Sequence, residues 1–145
     1  MNPELILIGG GGHCTSCIDV IEEEGKYSIA GIVDMPKKKG KSLLGYKIIA
    51  SDDEIPDLMN HYSNYLITLG QIKSPKPRMK LFHLIKGLGG NLVRVVSPLA
   101  HLSKHAEMGE GSIVMHGAIV NAAARIGHNC IINTKALIEH DAVIG

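Results

Sequence analysis

Residues 102–145 decide the fold, and written in units of six they read LSKHAE MGEGSI VMHGAI VNAAAR IGHNCI INTKAL IEHDAV IG. Every unit begins with an apolar residue, and the fifth position of each complete unit holds a small Ala, Ser or Cys. This period fits neither an α-helix nor an amphipathic strand, which repeat every ~3.6 and ~2 residues. It is typical of a hexapeptide β-helix, in which each unit adds one short strand and three units complete a triangular turn. We expect the first residue of each unit to fill the prism and the fifth to lie where the chain turns a corner.

Upstream of this repeat, predicted strands and helices alternate. The apolar pattern predicts strands at 4–8, 29–33, 65–69 and 92–96, helices at 14–24, 52–59 and 76–87, and a lysine-rich loop at 35–47. Apolar strands that alternate with helices are typical of a small doubly wound α/β domain with a parallel sheet. We therefore predict an α/β domain over residues 1–98 and the β-helix over residues 99–145.

Composition and charge exclude several classes of function. The net charge is +1, and the chain has one Phe, four Tyr and no Trp. Such a chain has neither the electrostatic field nor the stacking surfaces that nucleic-acid binding requires. No apolar run approaches the ~20 residues of a membrane span. Three cysteines do not suggest a disulfide framework, so we expect a reduced, cytoplasmic protein.

Four consecutive glycines, Gly9 to Gly12, lie between the first predicted strand and the first helix. Glycines at this point let a phosphate approach the free N–H groups of a helix N-terminus. The third glycine of the dinucleotide pattern G-x-G-x-x-G is missing, since Cys14 or Thr15 stands in its place. The pattern therefore disfavours an NAD site and leaves a nucleotide or nucleotide-sugar site open. Asp34, after the second strand, is placed to accept a hydrogen bond from a sugar or base; in the alternative interpretation the glycines only form a tight turn.

Two further features follow the glycine run. His13 is placed to donate to a phosphate, or alternatively to face water at the start of the helix. Cys14 and Cys17 form a C-x-x-C pair, which is found in redox proteins. Cys17 falls on the apolar face of the predicted helix, so the sequence favours packing over redox chemistry.

The third position of each hexapeptide should point outward, and it holds a histidine three times, at His116, His128 and His140. Spacings of twelve residues place these three on different faces of the prism, which disfavours a metal site. His140 is followed by Asp141, and a histidine beside a carboxylate can serve as a general base. Small Ala122 is predicted to lie below His140 and to leave space beside it. His128 is expected to be a plain surface histidine, as are His101 and His105.

Taken together, these features resemble the NeuD/PglD group of sugar acetyltransferases, which act on sialic acid and on pilin-glycan sugars. The matching residues are Gly10, Gly12 and His13 after the first strand, Asp34 after the second, Leu69, Gly70 and Gln71 after the third, Ser97, Pro98 and Ala100 at the junction, Asn133 and Thr134 in the repeat, and the segment 138–145 around His140 and Asp141. The resemblance implies a Rossmann-like N-terminal domain followed by a left-handed hexapeptide β-helix. Gln71 replaces the Asn that this group has at that position.

The resemblance also implies an activity and site residues. The implied reaction is acetyl transfer from acetyl-CoA, without a metal, to the amino group of a UDP-linked 4-amino sugar or to a sialic-acid-type sugar. His140 would be the general base and Asp141 would orient it. Asn133 and Thr134 would line the acceptor pocket. The nucleotide part would be held by Gly10, Gly12, His13, Asp34, Gly70 and Gln71.

Members of this group are expected to form homotrimers with the acetyl-CoA site between copies. Here the sequence stops at Gly145, two residues into a unit. From the sequence we therefore expect a truncated chain that binds a nucleotide sugar but acetylates it weakly or not at all. The alternative is a non-catalytic module for nucleotide-sugar binding and trimerisation.

Overall fold

The first half of the chain forms a six-stranded sheet in a computed structural model, which describes residues 2–71 and 73–145. The strands are β1 (Glu4–Ile8), β2 (Ser28–Asp34), β3 (Ser42–Leu43), β4 (Tyr46–Ser51), β5 (Asn64–Ile67) and β6 (Asn91–Leu92). Their spatial order is β3-β4-β2-β1-β5-β6, and all neighbouring strands are parallel except β3 and β4. The carboxyl ends of β1, β2, β4 and β5 therefore meet at one edge of the sheet.

Helices cover both faces of this sheet. They are α1 (Gly12–Glu24), α2 (Ile55–Leu58) and α3 (Lys76–Gly87). Leu5 and Leu7 of β1 pack with α1, whereas Ile6 and Ile8 pack with α2 and α3, because successive side chains of a strand point to opposite faces. The predicted doubly wound α/β domain is thus confirmed. In the described part of the chain, no helix has both the length and the apolar character needed to cross a bilayer.

The hairpin of β3 and β4 was not predicted from the sequence, which indicated a loop over residues 35–47. Its turn is formed by Leu44 and Gly45, both with positive φ angles, 49° and 86°, and lacks the Asn-Gly or Asp-Gly signal that marks such turns. The helix predicted at 52–59 is a single 3₁₀ turn followed by the four-residue α2. As a result, Asp52 and Asp53 follow β4 directly and lie beside the end of β2.

The second half of the chain forms a triangular prism. Its strands are β7 (Val95–Val96), β8 (His101–Leu102), β9 (Glu107–Met108), β10 (Ile113–Val114), β11 (Ile119–Val120), β12 (Arg125–Ile126), β13 (Ile131–Ile132), β14 (Leu137–Ile138) and β15 (Val143–Ile144). They form three parallel sheets, β7-β10-β13, β8-β11-β14 and β9-β12-β15. The interior is filled by Val114, Ala118, Val120, Ala124, Ile126, Cys130 and Ile132. The predicted β-helix architecture is confirmed, with apolar first positions and small fifth positions inside.

The segment predicted as one strand at 92–96 is divided between the two halves. β6 completes the large sheet beside β5, whereas β7 begins the first face of the prism by pairing with β10. Both pieces are apolar because each packs into a core, so the sequence pattern does not separate them. The division at residue 98 stays a prediction, although the prism takes its first strand from before that residue.

One face of the prism packs on the α/β half. Val95, Ile113 and Met115 of the β7-β10-β13 face share a buried cluster with side chains of α1. The two corners that flank this face also contact helices. His116 lies 2.8 Å from Asp19 of α1, and Lys86 of α3 forms a 3.0 Å ion pair with Glu110. The third corner, which holds residues 104, 122 and 140, therefore lies on the side of the prism opposite to α1, and we call it the outer corner.

Candidate functional site

The glycine run brings the carboxyl ends of three strands together. Gly9 has a φ of +116°, and a Cβ there would lie 2.7 Å from the backbone nitrogen of Leu69. A Cβ at Gly10 would lie 2.7 Å from Oδ2 of Asp34. Gly9 needs glycine because its φ is positive and the backbone of Leu69 packs against it. A Cβ at Gly10 would instead have to displace the carboxylate of Asp34. Gly9 was not among the predicted site residues, although its place in the glycine run was a signal.

Gly11 and Gly12, in contrast, have open space around them. A Cβ at Gly11 or Gly12 would meet no atom within 4 Å, so the fold itself does not demand glycine there. Gly11 is the N-cap of α1 without a side-chain hydrogen bond, and the first turn holds no acidic residue. The N–H groups at this helix end are therefore available to an anion.

The carboxylate of Asp34 faces the glycine run with one oxygen unpaired. Oδ1 accepts a 2.8 Å hydrogen bond from the backbone N–H of Met35. Oδ2 is buried and has no hydrogen-bond donor in the described ranges 2–71 and 73–145, and Nζ of Lys38 lies 3.6 Å away. Buried polar atoms in folded proteins are normally paired. A ligand hydroxyl or N–H group at this point would complete the pairing.

Two cavities flank the glycine run. The first, of about 570 Å³, we call the acidic pocket, and its walls include Asp34, Met35, Asp52, Asp53, Leu81 and Leu84. The second, of about 680 Å³, we call the histidine pocket, and its walls include His13, Gly70, Gln71, Arg78, His128 and Asn133. The volume of the acidic pocket falls in the range that small-molecule sites occupy.

The predicted nucleotide-binding and acceptor residues are distributed over these features. Four of them, His13, Gly70, Gln71 and Asn133, line the histidine pocket together. Gly70 and His13 can lie close together because Gly70 has no side chain. A Cβ at Gly70 would lie 3.3 Å from Cβ of His13. Thr134 is exposed on the prism and lines neither pocket.

Arg78 is a residue of the histidine pocket that the sequence did not reveal. Its side chain is only 1% exposed. Nη1 donates to the carbonyl oxygens of Ile67 and Leu69 at 3.1 and 2.7 Å, and Nη2 donates to the carbonyl and side-chain oxygens of Asn129 at 3.2 and 2.7 Å. Arg78 thus joins the end of β5 to a corner of the prism. An arginine in a predicted amphipathic helix looks like a solvated residue, so no sequence signal marked it.

The chemistry of His13 and its neighbours follows from burial. Burial first, and Arg78 second, lower the pKa of His13, so its ring is neutral near pH 7. Burial raises the pKa of Cys14 to about 11 and that of Cys17 to about 12. The Cys17 thiol lies 3.3 Å from Nε2 of His13. Protonated, fully buried thiols are poor nucleophiles, which supports the packing role predicted for this pair.

His140 and Asp141 lie together at the outer corner. Asp141 has a φ of 61°, and its N–H donates to the carbonyl oxygen of Ala122 at 3.2 Å. This left-handed turn brings the two adjacent side chains to the same side, with Nδ1 of His140 3.0 Å from Oδ2 of Asp141. The hydrogen bond with Asp141 raises the pKa of His140, and the negative charges of Asp141 and Glu139 add to the effect. With Nδ1 bonded to the carboxylate, Nε2 is left to exchange a proton with a ligand.

The other outward histidines have different partners. Nδ1 of His116 lies 2.5 Å from Oγ of Ser97, and its Nε2 contacts Asp19, so this ring joins the prism to α1. His128 is exposed, as predicted, but it also lines the histidine pocket, and its Nδ1 accepts a hydrogen bond from the N–H of Glu110 at 3.1 Å. Within residues 2–71 and 73–145, no group of three or more His, Cys, Asp or Glu side chains is arranged to hold a metal ion.

Comparison with known proteins gives a consistent family. A family model described as the PglD N-terminal domain matches residues 4–85. The structure of PerB from Caulobacter crescentus in complex with CoA and GDP-perosamine is 32% identical, with a TM-score of 0.86. A variant of GDP-perosamine N-acetyl transferase from the same organism, also in complex with CoA and GDP-perosamine, is 31% identical, with a TM-score of 0.87. The acetyltransferase domain of PglB from Neisseria gonorrhoeae, in complex with acetyl coenzyme A, is 27% identical, with a TM-score of 0.82.

These matches cover nearly all of this chain but only part of the other proteins. The PerB match covers 97% of this chain and 64% of the PerB chain, and the second Caulobacter structure has the same coverage. The PglB match covers 99% of this chain and 67% of the other. A comparison with curated proteins finds no matching sequence.

Proposed function

Because the chain belongs to the family of the PglD N-terminal domain, we propose that it acts in the N-acetylation of a nucleotide-linked amino sugar, with acetyl-CoA as donor. The observation that carries this proposal is the joining of two parts in one chain. An uncapped, glycine-rich helix N-terminus and the unpaired Asp34 carboxylate offer groups that would bind a nucleotide, and the prism that follows carries the His140–Asp141 pair. The similar PerB structure contains both CoA and GDP-perosamine.

The two pockets give the nucleotide sugar an orientation. The acidic pocket repels phosphate, so it suits the nucleoside, with Asp34 accepting a hydrogen bond from the ribose. The diphosphate would lie at the N–H groups that follow Gly11, where the helix dipole favours negative charge. The sugar would then reach the histidine pocket, where His13 and Asn133 offer polar groups. Gly10, Gly12 and Gly70 carry no side chain, so the ligand could approach the backbone closely along this path.

The proposed reaction is a direct acetyl transfer. The sugar amine attacks the thioester carbonyl carbon of acetyl-CoA, a C–N bond forms, and the C–S bond breaks. Nε2 of His140 takes the proton that the amine loses, and the imidazolium then gives a proton to the CoA sulfur, which leaves as a thiol. Asp141 holds the imidazole through Nδ1 and stabilises the imidazolium. No acyl-enzyme is required, and Cys130, which lies inside the prism, has no part in the reaction.

The positions of these groups imply a second copy of the chain. The histidine pocket lies between α3 and the prism, whereas His140 lies at the outer corner. A site that uses both must combine the nucleotide half of one copy with the outer corner of another. Exposed Leu137 and Val143, 56% and 72% accessible, flank the outer corner and offer apolar surface to a neighbouring copy or to CoA. We therefore propose an oligomer with shared sites, and of the possible assemblies we propose the homotrimer that the resemblance of the sequence implies.

An acetyl-transfer assay with acetyl-CoA and GDP- or UDP-linked 4-amino sugars tests the proposal. Release of the CoA thiol measures the rate, and mass spectrometry identifies the product. We expect His140→Ala to lower the rate by roughly 10²-fold or more and to leave nucleotide affinity unchanged. His105→Ala is the matched control, since His105 is exposed at the same corner, and it should leave the rate unchanged. Nucleotide binding without any acetylation would favour the alternative function, a non-catalytic binding and assembly module. Absence of nucleotide binding would contradict both functions.

Mixing two inactive variants tests the shared site. Gly10→Ala damages the nucleotide half, and His140→Ala damages the base. In a trimer mixed at equal ratio, roughly a quarter of the sites would combine two intact parts if the parts come from different copies. A mixture as inactive as its components would contradict the proposed arrangement.

We also propose a cytoplasmic location. The three cysteines, Cys14, Cys17 and Cys130, are free and buried, as expected for a protein of a reducing compartment. Labelling of these thiols in denatured protein taken from its native source tests the proposal, and a disulfide there would contradict it.

A further inference from the structure

The acidic pocket combines apolar walls with acceptors and few donors. Met35, Leu81 and Leu84 contribute apolar side chains, and Asp34, Asp52 and Asp53 contribute carboxylates. Lys80 is the one cation on its wall among the described residues. A flat heterocyclic base fits between apolar side chains, and the carboxylates can bind only the N–H and O–H groups at its edge.

The carboxylates after β4 differ in their partners. Asp53 accepts a hydrogen bond from the hydroxyl of Ser51, and Glu54 accepts from the backbone N–H of Ser51 at 3.0 Å and from Nζ of Lys39 at 2.8 Å. Asp52 accepts no hydrogen bond within the described part of the chain, and burial followed by the charges of Asp34 and Asp53 raises its pKa. Asp52 is exposed on the pocket wall, and of the three carboxylates after β4 it is the one with both oxygens open to the N–H donors of a ligand.

The bases of nucleotide sugars differ in the donors that they offer. Guanine presents N1–H and N2–H side by side, which match the two oxygens of one carboxylate. Uracil presents a single N3–H between two carbonyl oxygens, and a carboxylate that approaches it is repelled by both. A two-point contact between a side chain and a base distinguishes bases by about tenfold to a hundredfold in affinity.

We propose that the acidic pocket selects guanine over uracil, with Asp52 accepting hydrogen bonds from N1–H and N2–H of the base. This inference rests on the proposed nucleotide-sugar function and names its nucleotide as GDP. It replaces the UDP that the resemblance of the sequence implied. Asp34 keeps its separate role at the ribose, since its unpaired Oδ2 faces the glycine run rather than the outer end of the pocket.

Calorimetric titration with GDP, UDP and inosine diphosphate tests the inference. The wild-type chain should bind GDP about tenfold or more tighter than UDP. Inosine diphosphate lacks the N2 amine, so it should bind more weakly than GDP. An Asn side chain offers one acceptor and one donor, which match N3–H and O4 of uracil and equally N1–H and O6 of guanine, so it no longer uses the N2 amine. Asp52→Asn should therefore weaken GDP binding, strengthen UDP binding, and remove the difference between GDP and inosine diphosphate.

Asp53→Asn is the matched control, because it changes the same charge at the adjacent residue, whose carboxylate is bonded to Ser51. It should preserve the preference for GDP. Equal or tighter binding of UDP by the wild-type chain would overturn the inference while leaving the proposed function in place. Equal loss of GDP and UDP affinity in Asp52→Asn would overturn it as well. If none of the three nucleotides binds, the proposed function fails together with the inference.

Discussion

Replacement of Arg78 by Met should destabilise the whole chain, because this side chain joins its two halves. Met has a similar length and fills the space, but it donates no hydrogen bond. The change removes the donors to the carbonyl oxygens of Ile67, Leu69 and Asn129. It also removes a guanidinium whose pKa burial lowers.

The magnitude follows from the balance of these two effects. Each buried acceptor left without a donor costs about 1–3 kcal/mol. The carbonyl of Ile67 is enclosed, whereas Leu69 and Asn129 lie beside pockets that water can enter. Among the described residues the buried charge has no carboxylate partner, so its removal offsets part of this loss of stability. We expect a net loss of about 2–4 kcal/mol in the free energy of unfolding, which corresponds to roughly 10 °C in Tm for a chain of this size.

Urea denaturation followed by circular dichroism measures this change. Arg125→Met is the matched control, since Arg125 is 70% exposed and forms only a 3.7 Å ion pair with Glu107. Such surface pairs contribute about 0–1 kcal/mol. Arg78→Lys should also destabilise, because an ammonium keeps the charge but cannot reach both β5 and Asn129. Stability of Arg78→Met within about 0.5 kcal/mol of the control would refute the reasoning that Arg78 joins the two halves.

Three further predictions concern the glycine run, the outer corner and the prism. In Gly10→Ala the new Cβ would lie 2.7 Å from Oδ2 of Asp34, so calorimetry should show nucleotide affinity reduced by about tenfold or more; unchanged affinity would exclude this contact from the site. Asp141→Asn removes the main cause of the raised pKa of His140. An NMR titration should therefore show a lower pKa for His140, which then becomes an unprotonated base at a lower pH. A pKa that stays in place would show that the hydrogen bond is absent in solution. Ile126→Ala should lower the free energy of unfolding by about 2–5 kcal/mol, because Ile126 is 3% exposed inside the prism; a loss below 1 kcal/mol in urea denaturation would contradict its place in the core.

The hexapeptide repeat shows why part of the fold was predictable. Each unit of a solenoid contacts only its neighbours, so the role of a side chain depends on its position in the unit. Val120 and Ile126 are buried for the same local reason, and so are Ala118 and Ala124. The strand, glycine run and helix at the N-terminus are likewise local in sequence. For this reason β1, α1 and the two halves of the chain followed from the sequence pattern.

Contacts between distant segments depend on the tertiary structure. The parallel pairing of β4 with β2 aligns Ser51 with Asp34 and so places Asp52 beside Asp34. The packing of the β7-β10-β13 face against α1 decides that His13 and Asn133 share a pocket while His140 lies on the opposite side. Arg78 acquires its role only where β5 meets the prism. The repeat thus specifies the shape of the prism and the outward position of His140. The repeat pattern is the same on all three faces, so it does not tell which face is covered. Only packing against the α/β half makes one corner the outer one.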